Sequence, residues 1–408
     1  MVLKTLVISK QLYTERGCLD GGMVVEDGII SKIYLRKELP DAFDGEVQDF
    51  GDCRVIPGLI ELHCHGYKGW SAMSVDVEEI RNLSRSLTTC GVTGYLPTNH
   101  LRKDVLENCA AIAEVLENGS DGAEILGIHM EGPFISKEIL GSVSAEDVCE
   151  PDLALMNRFI EAARNHIITV TLAPEVEGNM EMIDYLVENG INVCIGHSNA
   201  TYEICKEAVD RGAVITQKTG NCMRAIHQRE VGVTGAALLD MRLYNEINSD
   251  LAHCSKEFLE LLYRLKGYQK LCIIADAGYM SGMPCGKYDL PKEKGYEVGT
   301  DGLLHTADGT IDGSALHVLN GLKNWVEVLH IPMEEAICMA SYNPAVICHC
   351  ADRKGSLKEG KDADYVVIDE NYEALKTFVK GHLVYDKGQA EVFENPEYLQ
   401  YQKEVYEG

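Results

Sequence analysis

The chain has 408 residues, too many for one core of ordinary size, and 37 Lys and Arg against 64 Asp and Glu leave a formal charge of −27. A negative field of that size argues against nucleic acid and anionic membrane as partners, while leaving room for a small cationic pocket that takes an anionic ligand. There is no apolar run long enough to span a bilayer and no leader pattern at the start, so a cytoplasmic protein is expected.

Residues 1 to 53 read as short strands separated by turn signals, with "TLVISKQLY", "GGMVVEDGIISKIYL" and "VQDFGDCRV" and no convincing helix. From about 54 to 350, short apolar strands alternate with amphipathic helices. The strand candidates are "RVIPGLIELHCH", "VTGYLPTNH", "ILGIHMEG", "IITVTLAPE", "INVCIGHS", "AVITQKTGN", "NEINSDLAH" and "LCIIADAG". Eight is the count for a closed (β/α)8 TIM barrel. Helix patterns such as "DVEEIRNLSRSLTTCG" and "DVLENCAAIAEVLENG" begin with acidic residues and end on glycine. Residues 361 to 391 return to the strand texture of the N-terminus. The expected organisation is a small β-sandwich domain built from residues 1–55 and 352–408, with the α/β barrel, 56–351, inserted between. The fifteen cysteines are odd in number, scattered and without a C-x-x-C pair, which reads as reduced thiols.

Barrel active sites gather where strands end. His63 and His65 end the first candidate strand, Glu131 the third, His197 the fifth, His253 the seventh and Asp276 the eighth. In "IELHCHG" the two imidazoles share one strand face and Cys64 takes the other. H-x-H alone is a weak signal in a chain with thirteen histidines, but together the six form a candidate centre. Two histidines and a carboxylate can bind a divalent ion, and a second carboxylate beside it can move protons. His129, on the same face as Glu131, reads as a packed core histidine or a partner of a ligand.

The segments "VIPGLIELHCHG", "GIHMEGPFIS", "TLAPE", "IGHSNATYE", "IIADAG", "DGTIDGSAL" and "YNPAVICHCADRKGSLKEGKDADYVVID" run in the order found in N-acetylglucosamine-6-phosphate deacetylases, and the chain resembles that family of the amidohydrolase superfamily from about residue 1 to 370. The resemblance implies one or two divalent ions per subunit (zinc, alternatively iron, manganese or nickel) and hydrolysis of an acetamide. It implies His63, His65, Glu131 and Asp276 at one metal position, Glu131, His197 and Gln217 at a second, and Asp276 as general base and then acid. It also implies Ser142, Val143, Asn221, Cys222, Arg229, His253, Ile311, Asp312 and Gly313 as contacts to a phosphorylated amino sugar, and a homodimer in which Arg229 reaches the neighbouring subunit's substrate.

Two departures stand out. The family reads T-H-L-x-N-A-M at the sixth strand, where this chain has "TQKTGNCM", so Gln217 replaces an imidazole. Val143 stands where the family carries a histidine that polarises the substrate carbonyl. The first departure predicts one firmly held ion, at His63, His65 and Glu131. Alternative readings are hydrolysis of a different N-acyl substrate, or a metal-poor homologue that only binds a sugar phosphate.

Overall fold

The computed structural model describes residues 4–288, 296–307, 309–389 and 391–398. Residues 399 to 408, part of the expected terminal β domain, lie outside the described residues. Eight parallel strands follow one another around a barrel: β1 (Leu59–Cys64), β2 (Val92–Asn99), β3 (Ile128–Glu131), β4 (Ile167–Leu172), β5 (Asn192–Ile195), β6 (Ala213–Thr216), β7 (Tyr244–Asn248) and β8 (Leu271–Ile274). Closure comes from a parallel bridge between Cys64 and Ala277, where the His65 amide donates to the Ala277 carbonyl at 2.8 Å. All eight expected strands are present, seven within the segment that announced them and β7 starting one residue before its segment, at Tyr244.

Each strand is followed by a helix: α1 (Val77–Leu87), α2 (Val105–Asn118), α3 (Leu153–Ala162), α4 (Asn179–Glu188), α5 (Tyr202–Asp210), α6 (Gly232–Leu239), α7 (Lys256–Lys266) and α8 (Val318–Lys323). The α1 boundaries follow from side-chain chemistry. Asp76 caps the start by accepting from the Glu78 amide, and Gly91, at φ 79°, turns the chain out of the short 3-10 turn that follows the helix. The apolar faces of these helices pack against the outside of the barrel in one core that includes Ile80, Leu83, Ile112, Phe159, Leu186 and Leu259. Between β8 and α8 the sequence reading missed a small antiparallel sheet, made of Gly286–Tyr288, Tyr296–Val298, Leu303–Thr306 and Ile311–Ser314.

Both ends of the chain meet in one eight-stranded sheet. Its order is His382–Asp386, Ala374–Val379, Tyr365–Ile368, Arg54–Pro57, Lys4–Thr14, Gly17–Glu26 and Ile29–Leu35, with Glu46–Asp49 also pairing to Lys4–Thr14. Antiparallel pairing of Val366 with Ile56 joins the C-terminal strands to the segment that leads straight into β1. None of the fifteen cysteines is disulfide-bonded. Among the described residues no helix is long and apolar enough to cross a membrane.

A charged cluster links the sheet side to the barrel. Glu124, at the barrel's edge, receives the Arg353 guanidinium at 2.7 Å and the Lys354 ammonium at 2.9 Å. Burial pushes the Glu124 carboxyl up, but Arg353 and Lys354 outweigh it and hold the group down at about 2. A depressed carboxylate stabilises the fold fully above its unfolded pKa and loses that contribution as pH falls through its folded value. The docking therefore weakens below about pH 4.5 and is gone near pH 2. Glu124→Gln is expected to cost about 1 to 3 kcal/mol at neutral pH, because it leaves two cations short of a partner. Chemical denaturation at pH 7 checks this, and the variant's deficit should vanish at low pH.

Candidate active site

The strand pattern of β1 sets the centre of the site. Glu61, His63 and His65 alternate with apolar residues, so all three face the barrel interior. Glu61, not singled out from the sequence, accepts the His63 amide and the Ala275 amide, each at 2.9 Å, and thereby ties β1 to the end of β8. Burial raises its carboxyl to about 8, against the pull of those two amides.

The imidazoles of His63 and His65 converge, with their Nε2 atoms 3.2 Å apart. Asp276 Oδ1 lies 3.3 Å from His63 Nε2 and 3.7 Å from His65 Nε2, and Glu131 Oε2 lies 3.3 Å from His65 Nε2. Ligand atoms on a tetrahedral ion with bonds of about 2.0 to 2.1 Å stand about 3.3 to 3.4 Å apart. The two His63 edges match that spacing, and the edge from His65 to Asp276 exceeds it by a few tenths of an ångström. Two nitrogen lone pairs aimed at one point beside two carboxylates fit a divalent cation. Behind the centre, His63 Nδ1 faces Glu246 Oε2 at 3.4 Å, the kind of contact that fixes which imidazole nitrogen is free to bind a metal.

Protonation follows from the same geometry. Burial pushes Asp276 up, but Lys218, His63 and His65 prevail and bring it down to about 2, so it is an ionised base at neutral pH. Burial likewise opposes ionisation of Glu131, and Lys218 with the surrounding histidines holds it well below the usual carboxylate range. Burial drives His63 well below its ordinary value, leaving a neutral ring with a lone pair to offer. His129 is also brought down by burial, to about 4. It sits between the Thr98 and Thr171 hydroxyls at 3.2 and 2.9 Å, a packed interior histidine with its ring against His63.

The other oxygen of Glu131 is surrounded differently. Oε1 meets His197 Nε2 at 3.0 Å, Gln217 Nε2 at 2.5 Å and Lys218 Nζ at 2.7 Å, and the Lys218 ammonium also stands 3.6 Å from Asp276 Oδ2. Gln217 gives its amide nitrogen to Glu131, and its oxygen is buried without a partner. Lys218, which the sequence reading passed over, thus sits where the family resemblance implied a second metal. A cation and an amide donor aimed at the same oxygen do not fit a second divalent ion. His197, Lys218, Cys222 and Asp276 all adopt left-handed backbone, with φ of 46°, 42°, 49° and 55°. Such conformations are uncommon outside glycine and gather where the fold dictates side-chain direction.

A cavity of about 350 Å³ opens over the centre. Of the residues expected from the sequence, His65, Glu131, Asp276, Ser142, Val143, Asp312 and Gly313 line it. Gly313 has φ 101°, and a Cβ there would meet the Asp276 carbonyl at 2.6 Å, so its place is set by close packing against the Asp276 turn. Asn221, Cys222, Arg229, His253 and Ile311 lie outside the lining. His253 does not end β7: it follows five residues after Asn248 and is held in the loop by Asp250, at 2.6 Å. Asn221 contacts the Cys254 thiol, and Arg229 and Ile311 are exposed. The cavity also displays His100 and Arg102, which the sequence reading missed. His100 offers a ring nitrogen within 4.8 Å of ligand atoms of His65 and Glu131, and burial lowers its pKa so that it stays neutral.

Two imidazoles and two carboxylates converging at the strand ends of a (β/α)8 barrel, under a cavity, define a hydrolase of the metal-assisted type. The amidohydrolase family model matches residues 54–384. The chain is 35% identical to an N-acetylglucosamine-6-phosphate deacetylase of Vibrio furnissii, over 89% of this chain and 90% of the relative. It is 31% identical to an N-acetylgalactosamine-6-phosphate deacetylase of Escherichia coli O157:H7, over 92% and 98%. Among solved structures, N-acetylglucosamine-6-phosphate deacetylase from Pasteurella multocida superposes with a TM-score of 0.86 at 28% identity, covering 93% of this chain and 99% of that one. The chain belongs to the N-acetylglucosamine-6-phosphate deacetylase family of the amidohydrolases.

Proposed function

We propose that this protein hydrolyses the acetamide of N-acetylglucosamine 6-phosphate to glucosamine 6-phosphate and acetate, as a cytoplasmic homodimer using one zinc ion per subunit. The observation that carries the reading is the convergence of His63, His65, Glu131 and Asp276 beneath the cavity, in a chain whose relatives carry that activity in their names. A divalent ion held by His63, His65, Glu131 and Asp276 would lower the pKa of water toward roughly 7 and polarise the amide carbonyl.

The chain's own residues supply the remainder. Asp276, ionised and facing the cavity, takes a proton from water as the water oxygen bonds to the acetamide carbon. It then delivers that proton to nitrogen as the C–N bond breaks, so the amine leaves neutral with acetic acid, which gives up its remaining proton to water or the amine and becomes acetate. Glu246 keeps His63 oriented throughout. The test is acetate release from the phosphorylated sugar by protein reconstituted with zinc. Release from the galacto epimer alone would move the substrate assignment to the Escherichia coli relative's sugar.

For the phosphate, the family resemblance points to Arg229 acting across a dimer, supported by Asn221 and His253. Arg229 is exposed and outside its own chain's cavity, which suits a group that serves a neighbour. A second reading rests on Arg102, the guanidinium that lines this cavity, paired to Asp104 at 3.3 Å. Loss of a charge-assisted phosphate contact is expected to weaken binding by about 1.5 to 3 kcal/mol. Arg229→Ala should do so for phosphorylated ligands and spare unphosphorylated ones. Calorimetry with both ligands decides, and if only Arg102→Ala shows that selectivity, the contact lies within one chain.

A further inference from the structure

We propose that the Lys218 ammonium is a built-in substitute for a second metal ion: it fills that position, excludes a divalent cation from it, and stabilises charge that develops on the substrate carbonyl oxygen. The inference rests on the reading of this centre as metal-dependent and extends it to a residue that reading does not use.

Glu131 divides the centre into two halves. On the Oε2 side stand the converging imidazoles of His63 and His65 with Asp276, a set of lone pairs that calls for a cation. On the Oε1 side the cation is already part of the chain. Nζ of Lys218 is 2.7 Å from Glu131 and 3.6 Å from Asp276, buried between the two carboxylates. A divalent ion bound to Glu131 Oε1 would have to stand against that ammonium, and like charges at such a separation repel strongly in a site with little water. Removing Lys218 would instead leave two carboxylates facing each other across a gap. The left-handed backbone at Lys218, with φ of 42°, is conformationally costly, as expected where the fold imposes a side-chain direction.

The side chain is also placed to act. Lys218 lines the cavity beside Glu131 and Asp276. Water attack turns the amide carbonyl oxygen into an oxyanion, and a fixed N–H donor carrying positive charge is suited to receive it. Val143 lines the same cavity with an apolar side chain, which leaves room there for a donor such as Lys218 to act beside the ion. Lys218 donates hydrogen bonds and forms no bond to substrate.

Metal content separates this from simple side-chain packing. Purified protein would be incubated with excess zinc, desalted and analysed by mass spectrometry for zinc per chain. Wild type and Gln217→His should both hold one ion, because the ammonium remains. Gln217→His combined with Lys218→Leu provides Glu131, two imidazoles and no competing charge, a set of zinc ligands, and should hold two. A count of two in wild type or in Gln217→His alone, or of one in the double variant, would overturn the exclusion. A wild-type count of zero would remove the metal-dependent reading and this inference with it. Lys218→Leu alone, which should still retain its first ion as a check on folding, should lower kcat at least tenfold with a smaller change in KM, and Lys218→Arg should restore part of the loss. Unchanged kcat in Lys218→Leu would overturn the electrostatic role.

Discussion

Asp276→Asn is expected to lower turnover by about two to four orders of magnitude, the usual worth of a positioned general acid–base group. The amide keeps the shape of the side chain but cannot accept the proton of the attacking water or return it to nitrogen. Substrate binding should change far less, because the cavity wall is otherwise intact. The effect should appear in kcat, and steady-state kinetics beside a binding measurement on the same variant separates the two. Near-normal turnover would remove Asp276 from the role, and Glu131 could not replace it, since its Oε1 is taken up by His197, Gln217 and Lys218.

Replacing His63 and His65 together by alanine is the second large effect. It removes both imidazoles from the half of the centre that lacks a cation, so the protein should no longer retain zinc through desalting. A bound metal ion supplies several kcal/mol of charge stabilisation, and each 1.36 kcal/mol is a factor of ten in rate, so acetate release should fall by about three orders of magnitude or more. Glu246→Gln, which only loosens the hold on His63, should cost about 10- to 100-fold in metal affinity or activity. Metal content and rate are measured on the same samples. Loss of activity with zinc still bound would place the ion elsewhere.

Most of the barrel was legible because its signals are local. Eight apolar segments bounded by glycine or acidic caps announce strands and helices whatever surrounds them, and His63, His65, Glu131, His197 and Asp276 sit at or just beyond strand ends, where the topology gathers them. Lys218 was not legible. "TQKTGN" reads as a turn, and nothing in it shows that a left-handed residue will send the ammonium inward to Glu131 rather than out to water. Glu61 left a signal that could have been used, since it stands two residues before His63 on the same face of β1. His100 and Arg102 follow β2 in a loop, and loop direction is set by packing that periodicity does not encode. His253 lies off the strand end because the apolar pattern of "NEINSDLAH" does not show where the strand breaks. The strand stops at Asn248, and Asp250 then captures the histidine in a turn. The antiparallel sheet between β8 and α8 was missed because segments such as Gly286–Tyr288 and Ile311–Ser314 lack the continuous apolar runs that mark the equally short barrel strands.

This cavity is proposed to remove an acetyl group from a phosphorylated amino sugar with the help of one bound ion. The most direct test follows acetate release from N-acetylglucosamine 6-phosphate by three preparations: protein as purified, the same protein after chelation and desalting, and the chelated protein after addition of one equivalent of zinc. The expected result is release by the first, a loss of about three orders of magnitude or more in the second, and recovery in the third without need of a second equivalent. Undiminished release after complete removal of metal, or no release from any preparation, would rule out metal-dependent deacetylation at this site.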